Sequence, residues 1–561
     1  MKSPRRHLAV LGIVSAAVTT IALVSAPASA TVPAGPHISN DTVWRDTSGN
    51  EIRAQGGNVF KNPDDGLWYW VGAEMNSRYS GQQVAKSINL YSSGDLQTWT
   101  FRKHLVTQSD DPSQLNVTLA AGADPDDLRV TSLVTSDGSS WLGRPQLIHS
   151  PQGKWIIWVE VNGDKKVTKA DGTVVDLGTG QAVFESDTID GTYEYLGKQY
   201  VHHGDGSPDD DYTSGDRSVF VEGGNAYLVY VGDSHLTRNV DLNIAPLSSD
   251  WRTVGNPQWT IPDDVSLGGQ NRHEAPGIVK VGATYYLFAS GMEGFNATPT
   301  SYLTSSDLVH WSSSWKPVTN APSSTVDSFG TQFESIVPIV GSSGTSYLYN
   351  GDRFSQYYPW VDASKKSQFP SGTGRKAWYP LTFDAGVPTL HGATDVYVDA
   401  GAGTMTWNAV ANGRFDQRNV ADTRNTTTNH PGNTPNWTVS GSAHLEATGS
   451  TVTNQQMVID DVTTGGKGVF SGYVSQQLTL PAGSYDFSFD YKSSGTASHA
   501  TASVSGASVS APTKDLTAAA TTFTRADIAF TLPSAGVVTI KVQADGSTGY
   551  LDLDNVSVLP Q

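Results

Sequence analysis

Between about residue 58 and residue 355 the hydrophobic positions fall into short, aromatic and β-branched runs that recur five times. The runs read WYWVGAE (Trp68 to Glu74), KWIIWVEV (Lys154 to Val161), NAYLVYVGD (Asn225 to Asp233), TYYLFASG (Thr284 to Gly291) and TSYLYNGDR (Thr345 to Arg353), and their starts are about 60 to 85 residues apart. Runs of this length and composition suit buried β-strands. In most copies a second strand and a polar turn follow. YSSGDLQTWTF (Tyr91 to Phe101) and LTSSDLVHWSSSW (Leu303 to Trp315) close two copies with a shared S-S-x-D-L-x-x-W pattern. Self-similar units of short strands predict a propeller, which has about four to eight blades. Five copies predict a five-bladed β-propeller over residues 31–384, with one axial pocket lined by a residue or two from each blade.

The pattern changes after this region. A bridge over 385–411 carries two short strands, VYVDAG and TMTW. From 412 to 561 strictly alternating strands such as SQQLTLPAGSYDFSFDYKS and VVTIKVQADG are separated by Pro-Ala-Gly and Pro-Ser-Ala-Gly turns. Alternation of that kind predicts a β-sandwich of jelly-roll type. No stretch of twelve or more residues has the i, i+3, i+4 apolar spacing of a helix. The fold class is therefore all-β. Residues 1–30 stand apart: Lys2, Arg5 and Arg6 precede an apolar run, and Ala28-Ser29-Ala30 ends it. That is the layout of a secretory signal peptide with an A-x-A cleavage site, so the expected location is extracellular.

Composition narrows the function. Among 561 residues, 16% are charged and the net charge is -18, with no basic block beyond the first few positions. Nucleic acid and anionic membranes need a positive footprint, so neither is an expected partner once the signal is removed. Cysteine is absent, which excludes disulfides, thiolate catalysis and cysteine metal sites. Abundant Gly, Trp and Tyr fit a secreted all-β protein. A monomer is the default state.

NRHEAPGIVKVGATYYLFASG (Asn271 to Gly291) sets Glu274, beside Arg272 and His273, just ahead of an apolar strand. At the inner edge of a blade such a carboxyl could serve as a general acid; elsewhere it would be a surface residue preceding a strand. The segment resembles the one that carries the general acid in glycoside hydrolase family 43. GGNVFKNPDDGLWYWVGAE, GRPQLIHSPQGKWIIWVEV, SGDRSVFVEGGNAYLVYVGD and SFGTQFESIVPIVG, followed by GDRF and KAWYPL, are similar to further blades of that family in order, over roughly residues 42–384. The last of these looks like the exo-β-1,3-galactanase-like branch. NGRFDQ near 412 and LDNV near the end resemble the brackets of family 4/9-like carbohydrate-binding modules.

The resemblance implies a five-bladed propeller, inverting hydrolysis and no organic cofactor. It implies Glu274 as acid. The first blade has Gln55 and Asn58 where many members carry an aspartate base, and in the galactanase-like branch a fifth-blade glutamine stands in. Gln332 matches it. Glu334, two residues along the same strand, is a second candidate because strand side chains alternate. Gly143 stands where the branch has Glu before Arg-Pro, and Asp216 could supply a compensating charge. Gln55, Arg144, Asp352 and Arg353 are candidate hydroxyl-binding groups. Trp378 is either a stacking face for a sugar or packing, whereas Trp99 and Trp311 read as packing. Asp552 and Asp554 are possible structural Ca²⁺ ligands, and the acidic loop Ser207 to Tyr212 reads first as a solvated turn. His202-His203 lacks ligand spacing.

The resulting expectation is a secreted exo-β-1,3-galactanase acting on the polysaccharide or oligosaccharides of arabinogalactan. The alternatives are an α-L-arabinofuranosidase or β-xylosidase of the same family, and a non-catalytic glycan-binding propeller.

Overall fold

The computed structural model describes residues 35–561 except 80–81, 110–114, 124–140, 163–164, 169–173, 178–179, 200–212, 234–239, 262–271, 294–296, 322–327, 355–374, 417–433, 435, 448–454, 462, 465, 507–508 and 510–512. The acidic loop and His202-His203 lie outside these residues. Among the described residues there is no α-helix, and so none long and apolar enough to cross a membrane. The all-β reading holds.

Each aromatic run is the second strand of an antiparallel sheet. The first sheet is Val59–Lys61, Trp68–Tyr79, Gln82–Ser93 and Thr100–Thr107. The second is Trp141–His149, Trp155–Asn162, Gly180–Ser186 and Glu194–Gln199, with Thr118–Leu119 added in parallel at its edge. The third is Thr213–Glu222, Asn225–Asp233, Val240–Pro246 and Trp259–Ile261, and the fourth His273–Val281, Thr284–Gly291, Thr300–Ser305 and Lys316–Pro317. The fifth is Gln332–Val340, Thr345–Asp352, Lys376–Asp384 and Val387–His391, with Thr319–Ala321 parallel at its edge. From the second sheet to the fifth the opening strand of each packs against the opening strand of the next; Trp141–His149 packs against Trp68–Tyr79 and Gln82–Ser93 of the first sheet, and Gln332–Val340 packs back against Val59–Lys61.

Aromatic rings fill the joints. Trp70 has no exposed surface and packs on Trp44, Trp99 and Trp378. The repeated closure has a local cause. Asp95 accepts from the backbone N–H groups of Gln97 and Thr98 at 2.8 and 2.6 Å, and Trp99 Nε1 donates to the Leu96 carbonyl. Asp307, Val309, His310, Leu308 and Trp311 repeat the arrangement. Leu96 and Leu308 share a φ of 66° and 65°. Short polar side chains that bond the backbone two or three residues on make such turns. Trp99 is buried and Trp311 half-buried, in line with their reading as packing.

The bridge is not a free linker. Val387–His391 completes the fifth sheet, and Asp395–Asp399 lies between Ile38–Ser39 and Thr404–Trp407. Beyond it, two five-stranded sheets enclose one core that includes Phe415, Val474, Phe487, Phe489, Ile540 and Leu553. The joint is bonded: Ala411 N–H donates to Gln476 Oε1, and Val558 N–H to Asn408 Oδ1, each at 2.9 Å.

Trp70→Ala should lower the stability of the five-sheet unit by about 3–5 kcal/mol, because a fully buried indole leaves a cavity at a joint of four tryptophans. Urea unfolding followed by tryptophan fluorescence measures this; an unchanged midpoint would contradict the packing described.

Candidate active site

Four opening strands carry a β-bulge at the same level: between Gly143 and Gln146, Ser214 and Arg217, Glu274 and Gly277, and Phe333 and Ser335. A bulge leaves a residue out of the ladder and re-aims its side chain. Arg144 and Asp216 sit in two of the bulges, and Glu274 borders a third. Arg144 and Ala275 each precede a proline and each adopts positive φ, 43° and 55°. Proline donates no ladder hydrogen bond, so it tolerates a bulge, but positive φ on a non-glycine residue costs on the order of 1–3 kcal/mol. The first sheet contributes Gly56, at φ 70°, whose N–H donates to Asp352 Oδ2 at 2.9 Å. A Cβ on neighbouring Gly57 would lie 1.9 Å from the Val71 carbonyl oxygen, so only glycine fits there.

The bulges bring four side chains into one chain of bonds. Gln332 Nε2 donates to Glu274 Oε1 at 2.7 Å, and Arg144 Nη2 donates to Gln332 Oε1 at 2.9 Å. Arg144 Nε is 2.8 Å from Asp216 Oδ1, and Asp216 Oδ2 accepts from the Ala275 N–H at 3.1 Å. Each of Arg144, Asp216 and Gln332 therefore orients the segment around Glu274. Burial and the negative charge of Asp216 push the Glu274 carboxyl well above the usual carboxylate range, against the pull of Arg144 and Gln332. A carboxyl so raised holds its proton to higher pH than an ordinary glutamate. With Oε1 accepting from Gln332, Oε2 is the oxygen left to carry a proton. Burial works against the charge of Arg144, yet Asp216, Asp352 and Glu274 outweigh it and keep its pKa raised.

Other predicted residues lie elsewhere. The bulge at Glu334 breaks the alternation that would have placed it beside Gln332. Its carboxylate is instead locked, with no exposed side-chain surface, onto Lys376 Nζ. Asp352 Oδ1 is 2.8 Å from the same Nζ, so both side chains serve a buried polar cluster behind the site. Burial pushes Asp352 up to about 8, and burial with the charge of Arg144 pushes Lys376 well down; both shifts favour the neutral forms. Arg353 is buried on the Asn40 carbonyl and the Tyr379 hydroxyl, the latter at 3.0 Å, and ties the lead-in to the fifth sheet. Trp378 is fully buried and donates through Nε1 to Asn350 Oδ1 at 2.9 Å, so it is packing rather than a sugar platform. Gln55 is buried, its backbone bridged to Ala73 and its Oε1 accepting from Arg375 at 3.4 Å. Gln55, Asp352, Arg353 and Trp378 are thus all buried among protein partners.

Sequence reasoning missed Lys376 and Arg217. Arg217 is buried, with Nη1 donating to the Gly143 carbonyl at 3.2 Å and Nη2 to Gly215 at 3.0 Å. Its adjacency to Asp216 in SGDR was the available signal. Asp552, read as a possible calcium ligand, takes Lys492 Nζ at 3.0 Å and Gln456 Nε2 at 3.3 Å, so a cationic side chain already meets it, while Asp554 Oδ1 accepts from the Asn555 N–H at 2.7 Å. Among the described residues no group of three or more His, Asp or Glu side chains is arranged to hold a metal ion.

No family model matches the chain, and no curated protein matches it. Solved structures do. An exo-β-1,3-galactanase from Clostridium thermocellum is 23% identical with a TM-score of 0.50, over 78% of this chain and 81% of that one. An exo-β-1,3-galactanase from Phanerochaete chrysosporium, in a structure with β-1,3-galactotriose, is 21% identical with a TM-score of 0.50, over 93% of this chain and 99% of that one. The chain shares their fold.

Asp416 and Asp554 make the C-terminal unit sensitive to pH. Burial pushes each up to about 7. The folded-state value is above the unfolded one of about 4, so the native state holds the proton more tightly. Their contribution is complete below about pH 4 and is lost as pH rises through 7. Denaturation midpoints of this unit should therefore rise from pH 7.5 to pH 5. In Asp416→Asn with Asp554→Asn that dependence should flatten; an unchanged slope would refute the burial described.

Proposed function

We propose that this chain is a secreted glycoside hydrolase that cleaves β-1,3-linked galactan by inversion, from the non-reducing end. The observation that carries the reading is the half-buried Glu274 carboxyl, bonded to a glutamine that an arginine holds from its far side, with burial and Asp216 raising its pKa. We read the five sheets as the blades of a propeller with this group at its axis, and the C-terminal pair of sheets as a carbohydrate-binding sandwich. Residues 1–30 are read as the export signal, and no organic cofactor is invoked. The likeness in fold to two exo-β-1,3-galactanases supports the choice of substrate.

Inverting hydrolysis needs room for a water, with its two groups about 6.5–9.5 Å apart. Glu274 and Gln332 are bonded directly at 2.7 Å. In the proposed reaction a sugar ring enters between them and breaks that bond. Glu274 then gives its Oε2 proton to the leaving glycosidic oxygen. Gln332, still held by Arg144, faces the water on the opposite side of the ring. Asp216 keeps Arg144 in place and raises the proton affinity of Glu274. An amide is a weak base, so its part is to orient the water; as the water bonds to the anomeric carbon and the glycosidic bond breaks, its surplus proton passes to solvent, and Glu274 is reprotonated from solvent for the next turnover.

The test incubates the protein lacking residues 1–30, and its Glu274→Gln variant, with β-1,3-galactan, arabinan and xylan. Galactose release is expected from the parent, with a loss of about 10²–10⁴-fold in the variant, the usual worth of a general acid. Pentose release instead would replace this reading with the arabinofuranosidase or xylosidase one. Binding without release from any polymer would replace it with a non-catalytic glycan-binding protein.

A further inference from the structure

Glu160 is a buried carboxylate that the roles above leave unused. It lies on Trp155–Asn162, directly across from Gly143 in the second sheet. Opposed residues of antiparallel strands project from the same face, with Cβ positions about 4.5–5.5 Å apart. Gly143 has no side chain, so this face beside the Arg144 bulge is left to Glu160. Arg217 links the two strands: its Nη1 donates to the Gly143 carbonyl at 3.2 Å and its Nη2 lies 3.5 Å from Glu160 Oε2. Arg217 also follows Asp216, the residue that holds Arg144. Neutralising Arg217 does not by itself account for Glu160, because Asp216 also lies within electrostatic reach of that guanidinium. The negative charge of Glu160 reaches Glu274 as well and adds to the elevation of its pKa.

We propose that Glu160 belongs to the active site as a positioning residue: set across from Gly143 and bridged to it by Arg217, its carboxylate fills from the neighbouring strand the face that Gly143 leaves open beside Arg144, and acts from there on Glu274. The inference rests on Glu274 as the acid. The other groups that reach Glu274 are Asp216 from the third sheet, Arg144 from the second and the neutral Gln332 from the fifth; Arg217 follows Asp216 along its strand, and His273, stacked on Trp315, precedes Glu274. None of them is opposite a glycine on the bulged strand.

The test is the pH dependence of kcat/KM on β-1,3-galactan oligosaccharides for the parent, for Glu160→Gln, and for Glu160→Gln with Gly143→Glu, with thermal melts establishing that each is folded. A general acid works only while protonated, so its pKa sets the alkaline limb. Removing the Glu160 charge should move that limb down by roughly one pH unit, and a carboxylate at position 143 should bring it back. Should Glu160→Gln not fold, Glu160→Asp keeps the charge but draws it back, and the shift expected is smaller in the same direction. An unmoved limb in a folded variant overturns the proposal and leaves the glycosidase reading standing. If the parent releases no sugar, the functional reading falls separately. The role of Glu160 is then decided without turnover, by the carboxyl-carbon NMR titration of Glu274 in protein labelled with carbon-13 glutamate. A midpoint lowered in Glu160→Gln upholds it; an unmoved midpoint overturns it.

Discussion

The site depends on a backbone irregularity repeated in four sheets. A regular strand would send alternate side chains into the joints between sheets, where Trp70 and Trp158 already fill the space. The bulges at Arg144, Asp216, Ala275 and Glu334 break that alternation at one level. At three of them polar groups leave the packed faces and meet one another; at the fourth, Glu334 is diverted to Lys376 while Gln332, just before it, joins the site. The strain of positive φ at Arg144 and Ala275 is held by the bonds that result. Asp216 takes both the Arg144 guanidinium and the Ala275 N–H, so one carboxylate secures two strained bulges.

Electrostatics follows from this geometry. Little water reaches the cluster, so each charge acts through a low effective dielectric. Arg144 meets the Glu274–Gln332 pair through the Gln332 amide oxygen and is shared with Asp216. Burial and the charge of Asp216 outweigh its pull and keep the Glu274 pKa raised. Behind it, Lys376 sits between Glu334 and Asp352 and over the face of Trp70, 5.5 Å from the ring centroid. A buried lysine between two carboxylates anchors the fifth-sheet strands that present Gln332. Gln332 and Asp352 are themselves opposed across that ladder, so the anchor and the site share a register.

What could be read from the chain was what a period of two preserves. The aromatic runs gave the number and order of the sheets, and the E-A-P and S-G-D-R segments gave Glu274 and Asp216. The failures cluster where that period breaks. Glu334 was placed beside Gln332 by simple alternation, and the bulge between them moved it onto Lys376. Trp378, Asp352 and Arg353 lie near the site in sequence pattern, but their partners come from far along the chain: Asn40 for Trp378 and Arg353, and Gly56 for Asp352. No local pattern encodes a partner some 300 residues away. Just past 384, Val387–His391 adds to the fifth sheet through a turn at Ala385 and Gly386.

The direct bond between Glu274 and Gln332 bears on how such a site could be both stable and reactive. Without a ligand the amide satisfies Oε1 of a half-buried carboxyl, which otherwise would face a desolvation penalty of about 1–3 kcal/mol. A sugar that separates the pair must supply an acceptor for the amide and a basic oxygen for the acid. A glycosidic oxygen flanked by hydroxyls meets both needs at once. Arg144 holds Gln332 Oε1, so in the proposed reaction the amide would change partner at Nε2 without losing its orientation. The arginine that secures the Glu274–Gln332 bond would then be the one that keeps Gln332 aimed at the water.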